Sequence, residues 1–126
     1  GNIDTVKMKL DIQDNTLSID TVIPLGLIIN ETITNALKYG ITEDDKAEIT
    51  LSLKKLSNNR YELYIGDNGK GYSHNFDPKN SKSLGLKLIY NLTRQLRGTI
   101  ARDMSKKGTY YRIEFEEIIE EFNSVD

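Results

Sequence analysis

The chain has 126 residues, 37% of them hydrophobic and 29% charged, which is enough for one hydrophobic core in a soluble globular domain and unlike a disordered tail. Its formal charge of -2 comes from opposite signs spread along the whole chain, so there is no basic stripe for nucleic acid. The lack of cysteine excludes a disulfide framework, a thiolate metal site and a thiol nucleophile, and no apolar run approaches the ~18 residues of a membrane helix.

Val6, Met8, Leu10 and Ile12 alternate with Lys7, Lys9 and Asp11, the pattern of a strand with one buried face. A helix is expected next, with Asp20 or Thr21 as its cap, Pro24 in its first turn and an end near Gly40. Within it, "GLIINETITNALKYG" (residues 26–40) holds two asparagines, both poor helix formers, beside an aliphatic stripe. At ~100° per residue, Leu25, Ile29, Ile33, Ala36 and Leu37 share one side, while Glu31, Asn35 and Lys38 fall in an arc of roughly 60° opposite. Two readings stand. The row is a solvated helix face, or it is a set of tools: an amide oxygen for Mg²⁺ beside phosphates, a carboxylate to accept a proton and an ammonium to neutralise phosphate.

After the polar stretch "ITEDDK", Ile49, Leu51 and Leu53 alternate as a strand, "SNN" turns, and Tyr61, Leu63 and Ile65 alternate again. Asp67 then stands at a strand end in "LYIGDNGKGY", opening a polar segment that is long for a connection in a compact domain. A hairpin turn is one reading of Asp-Asn-Gly. The other is a carboxylate that accepts the exocyclic amine of adenine, with glycines that let backbone approach a flat ring. The common phosphate loops GxxxxGK[ST] and GxGxxG are both absent. A second helix begins at "SLGLKLI", with Ser83 as cap; its N-terminus is either an ordinary capped helix start or an anion site. Leu84, Leu88, Ile89, Leu92 and Leu96 repeat at helical spacing until Gly98, the expected C-terminal glycine. Residues 99–102 and 109–115 read as two more strands around "SKKG", and the acidic tail from residue 116 as a short helix or a frayed end. The order strand, helix, two strands, helix, two strands predicts a single α/β domain over residues 1–126, one mixed sheet with helices on one face.

Taken in order, "NETITNALKYG", "GDNGKGY", "SLGLKLI" and "KGTYYRIEF" resemble the ATP-binding boxes of the catalytic domain of sensor histidine kinases. That superfamily includes gyrase-type topoisomerases, heat-shock chaperones and mismatch-repair ATPases. The similarity runs over roughly residues 20 to 115, and the most similar subgroup has Glu directly after the first asparagine and a short lid. The resemblance implies a two-layer α/β (α+β) sandwich of the Bergerat type, a mixed, mostly antiparallel sheet with ATP held between the first helix and the lid. It implies Mg²⁺ on Asn35, Glu31 as general base, and Asn30 and Lys38 supporting the phosphates. Asp67 would accept the adenine amine, Gly69 and Gly71 would permit close approach, and Thr109 would reach adenine through a water. Ser83, Leu84, Gly85 and Leu86 would bring helix-start amides to the phosphates.

Ser83 stands where many such kinases carry the first glycine of their second glycine box. The family phosphorylates a histidine on a separate dimerising hairpin, whereas this chain has one histidine, His74, in the polar segment, so the acceptor is expected elsewhere. The implied partners are that acceptor domain and a response-regulator receiver protein, in the cytoplasm, with no nucleic acid and no direct membrane contact. Two alternatives share the pattern: an anti-sigma-factor serine kinase, and a nucleotide-sensing module without catalysis.

Overall fold

A computed structural model describes residues 6–13, 16–40, 46–70 and 84–119. In chain order the elements are β1 (Lys7–Ile12), α1 (Ile19–Asn35) continued by one π-helical turn (Ala36–Gly40), β2 (Glu48–Ser57), β3 (Arg60–Asp67), α2 (Leu84–Gln95), β4 (Thr99–Arg102) and β5 (Thr109–Glu116). They build one five-stranded sheet in the order β1-β2-β3-β5-β4. β1 and β2 run parallel, because a helix separates them in sequence, and every other pair is antiparallel.

The two helices pack on each other and on one face of the sheet. Alternate residues of the inner strands meet them: Leu51, Leu63, Ile65, Tyr111, Ile113 and Phe115 lie under Leu25 and Ile28 of α1 and under Leu86, Ile89, Leu92 and Leu96 of α2. Tyr61 stacks on Phe115 with ring centroids 5.7 Å apart. The start of α1 is tied to the chain after β5. The Ser18 hydroxyl donates to the Ile118 carbonyl (2.6 Å), the Ile118 amide donates to Thr21 Oγ1 (2.7 Å), and the Ser18 amide donates to Glu117 Oε2 (2.7 Å). Among the described residues no helix is long and apolar enough to cross a membrane.

Four expectations need correction. β1 forms, but none of its six residues is buried; it is the edge strand, and the helices cover the inner strands instead. Ser18, rather than Asp20 or Thr21, precedes the first turn of α1, and Pro24 sits inside the helix and is buried. Leu37 is exposed, since the helix loosens into the π-turn after Asn35 and its stripe rotates off the core. At the end of α2 the left-handed residue is Arg97 (φ 51°), one position before Gly98. The Arg97 amide bonds the Arg94 carbonyl and the Gly98 amide bonds the Thr93 carbonyl, a Schellman closure. Gly98 serves close approach: a Cβ there would lie 2.3 Å from the Glu114 carbonyl. Gly71, His74 and Ser83, and the tail beyond residue 119, lie outside the described residues.

Candidate functional site

β3 alternates Leu63, Ile65 and Asp67 onto the helix-facing side, so the strand that fills the core ends on a carboxylate. Asp67 is 3% exposed. Its Oδ1 accepts the Gly69 amide at 2.9 Å, the local bond by which an Asp stabilises a turn. Asn68 fastens that turn to β2: its Oδ1 accepts the Glu48 amide, its Nδ2 donates to the Lys46 carbonyl, both at 2.8 Å, and its own amide donates to the Glu48 carbonyl at 3.2 Å. On the other side Asp67 pairs with Thr109, itself buried. Gly108 precedes it with φ +120°, and a Cβ there would lie 2.1 Å from the Asp67 carbonyl oxygen. Only glycine fits this conformation and this approach.

Glu31 and Asn35 are one helical turn apart on α1, so they share a face, and both are half-buried. What they face is the start of α2. A Cβ on Gly85 would lie 2.8 Å from Glu31 Oε2 and 3.3 Å from Asn35 Oδ1, so the missing side chain is what lets the helix start lie against the two polar groups. Neither side chain hydrogen-bonds or ion-pairs with another described residue. Of the row, Glu31 and Asn35 lie against the start of α2 and Lys38 faces solvent. Asn30 and Lys38 are exposed; they flank the pair and do not enter the interface.

The two halves meet through Ile49. It is the cross-strand partner of Asp67 and packs with Ala36, the residue after Asn35, together with Ala47 and Ile33. Paired residues share a sheet face, so the Asp67 carboxylate points to the side on which α1 ends. Leu84, Gly85 and Leu86 form the first turn of α2, the end at which the helix dipole is positive. The Leu86 side chain is anchored in the core, which fixes the direction of this terminus. Among the described residues no three His, Cys, Asp or Glu side chains cluster to hold a metal. Any cation here would rely on few protein oxygens, Asn35 Oδ1 and Glu31 Oε2 being the two at hand.

Gly66, Asn68 and Gly108 hold Asp67 in place and were not singled out from sequence. A Cβ on Gly66 would lie 2.3 Å from the Thr109 carbonyl and 2.6 Å from Tyr110 Cδ1. The available signals were a glycine inside an alternating strand and a glycine closing "SKKG". Burial, then the Asp67 and Glu48 carboxylates, push the Tyr110 phenol up, the electrostatic trace of how near that ring lies to the strand-end acid.

Residues 20–118 match the family of histidine kinase-, DNA gyrase B- and HSP90-like ATPases. A curated relative, blue-light-activated histidine kinase 2 of Erythrobacter litoralis (strain HTCC2594), is 23% identical over 109 residues, covering 85% of this chain and 32% of that protein. The histidine kinase domain of the Erythrobacter litoralis EL346 blue-light-activated histidine kinase superposes with a TM-score of 0.80 at 20% identity, over 91% of this chain and 53% of that one. The Acinetobacter baumannii histidine kinase AdeS gives a TM-score of 0.73 at 20% identity, over 90% and 55%. The chain thus spans about a third of the curated relative and about half of each of these two solved chains.

Proposed function

Because this chain belongs to the family of histidine kinase-, DNA gyrase B- and HSP90-like ATPases, we propose that it is the ATP-binding catalytic domain of a two-component sensor histidine kinase. It transfers the γ-phosphoryl group of Mg·ATP to a histidine on a separate dimerisation domain, from which a response-regulator receiver protein takes it in the phosphorelay. The observation that carries this reading is the seating of the α2 start on the Glu31–Asn35 pair. A helix terminus offering amides to phosphate, a carboxylate and a neutral oxygen within one contact distance of each other is the equipment a phosphoryl transfer uses.

Asp67 accepts the adenine amine, Gly69 and Gly71 admit the ring, and Thr109 bonds it through a water. Asn30 and Lys38, exposed beside the pair, reach the phosphates. The amides of Leu84, Gly85 and Leu86 receive them at the head of α2, with Ser83, the preceding residue in sequence, as a further donor. Asn35 holds Mg²⁺, and its single neutral oxygen suits an ion that keeps most of its ligands as water and phosphate. When bound, that ion neutralises charge on the β- and γ-phosphates. Glu31 takes the proton of the attacking imidazole as its nitrogen bonds to phosphorus and ADP leaves. Positioning and charge neutralisation supply most of the rate. The site belongs in the cytoplasm, where ATP is available.

The test is incubation with γ-labelled ATP and Mg²⁺, alone and with an acceptor-histidine domain added. The expected result is nucleotide binding in both cases and acid-labile label on the added domain only. Label on the isolated chain, or acid-stable label on a serine of a partner, overturns the assignment. An unchanged melting temperature with Mg·ATP removes nucleotide binding altogether.

A further inference from the structure

β1 is the outermost strand of the sheet, and among the described residues nothing pairs with its outer edge. The Lys7 amide donates to the Ala47 carbonyl (2.9 Å) and the Gln13 amide to the Leu53 carbonyl (3.1 Å). In a parallel pair this turns both backbone groups of Lys7, Lys9 and Asp11 toward β2 and those of Met8, Leu10 and Ile12 outward. The same three residues are 43%, 60% and 56% exposed and lie on the helix-facing side, where none of the described helices covers them. A sheet edge with free amides, free carbonyls and an apolar face is a template for another strand.

We propose that this edge pairs with its own copy: two chains join β1 to β1, antiparallel, about a twofold axis through Leu10, making one continuous sheet. The register follows from the side chains. Centred on Leu10, the three outward-facing residues all meet outward-facing partners, Met8 opposite Ile12, Leu10 opposite Leu10 and Ile12 opposite Met8. These are hydrogen-bonded pairs with an apolar face in common. On the other face Lys9 stands opposite Asp11 on both sides of the axis. Shifted by two residues one way, Lys9 meets Lys9; shifted the other way, Asp11 meets Asp11. Like charges directly opposite destabilise a strand pair, so charge selects the central register. Lys7 and Lys9 reach Glu48 only at 3.9 Å and remain mostly exposed, so neither is committed elsewhere. The charges of this edge carry both signs and are self-complementary in the central register, as a twofold contact requires. The inference stands apart from the proposed nucleotide chemistry, since no candidate site residue lies on β1.

Sedimentation across a concentration series tests it. The chain should move from 14.4 kDa toward twice that mass. Lys9→Asp and Asp11→Lys should each weaken association at least tenfold, by setting like charges opposite, and the double exchange should restore it. Register has an independent readout that tolerates no ambiguity of folding. The chain has no cysteine, so oxidised Leu10→Cys should cross-link to itself, its two Cα atoms standing about 5.5 Å apart. Met8→Cys alone should not, but should link to Ile12→Cys when the two are mixed. A single mass of 14.4 kDa at all concentrations, failure of the double exchange to restore the dimer, or Met8→Cys linking to itself as readily as Leu10→Cys would each overturn the proposal.

Discussion

The two faces of the sheet both bury polar groups around the end of β3 and β5, and they resolve them differently. On the face away from the helices, Tyr64 and Tyr110 stack at 5.8 Å, Lys106 lies 5.1 Å from each ring and Arg112 lies 5.1 Å from Tyr64. Tyr64 donates to Asp103 at 2.6 Å, Arg112 pairs with Glu62 at 3.5 Å and Lys54 with the same carboxylate at 3.7 Å. Tyr64, Asp103, Arg112, Glu62 and Lys54 there have polar partners among the described residues. On the helix side, Glu31 and Asn35 are half-buried beside Gly85 with no hydrogen bond to another described residue. Buried polar groups are normally satisfied, so the closed network reads as structure; Glu31 and Asn35, only half-buried, have no such network among the described residues.

Gly66 is where the two faces touch, since a side chain there would run into the Thr109 backbone and the Tyr110 ring at once. Gly66→Ala should therefore cost about 3 kcal/mol, the upper range for overpacking a close-fitted site, read from urea denaturation. A loss below ~1 kcal/mol would mean that β3 and β5 can part without penalty, and the contrast between the faces would lose its hinge.

Gly85→Ala separates site from scaffold. Its new methyl would meet Glu31 Oε2 and Asn35 Oδ1, the ends of side chains that can swing away, so stability should change by less than ~1 kcal/mol. Transfer to an acceptor histidine should fall about a hundredfold, the cost of displacing a catalytic group by roughly 1 Å. Equal transfer by both proteins would return Glu31 and Asn35 to the status of surface residues. Asp67→Asn is next in size. A hydrogen bond to a charged acceptor contributes ~1.5–3 kcal/mol against ~0.5–1.5 kcal/mol for a neutral one, so the exchange should remove about 1–1.5 kcal/mol and calorimetry should show adenine nucleotides binding roughly five- to tenfold more weakly. Guanine nucleotides, lacking that amine at the same position, should lose less; equal losses would argue against the adenine contact.

Much of this arrangement was readable in advance, and the unread part has a common cause. Period-two alternation located β2, β3 and β5 and put Asp67 at a strand end, and period-three-to-four spacing located both helices. These signals are local, repeated and tied to a buried face. Burial itself is not local. β1 alternates as well as β2 does, yet at the sheet edge none of the described helices lies above it, and Leu37 belongs to the apolar stripe until the π-turn rotates it away. The same limit hid the helix-side partner of Glu31 and Asn35, since their contact with Gly85 spans more than fifty residues of sequence. Arg97 shows a finer limit: with glycine one place later, composition points to Gly98, while the hydrogen bonds to Thr93 and Arg94 put the left-handed turn on Arg97.

The smallest effect expected tests the closed side of the comparison through pH. Hydrogen bonds from Ser105, then from Tyr64, hold the Asp103 carboxyl well below its ordinary value of 3.8, while burial and the bond to Asp103 push the Tyr64 phenol up. A carboxylate with a depressed folded-state pKa stabilises the fold at pH above its unfolded value and loses that contribution as pH falls toward the folded one. Asp103→Asn should therefore lower the urea midpoint modestly near neutrality, and the gap between variant and wild type should close as pH drops below ~4. A gap that persists unchanged down to about pH 3 would mean that the bonds from Ser105 and Tyr64 do not hold the Asp103 carboxylate, and the closed network would lose its electrostatic support.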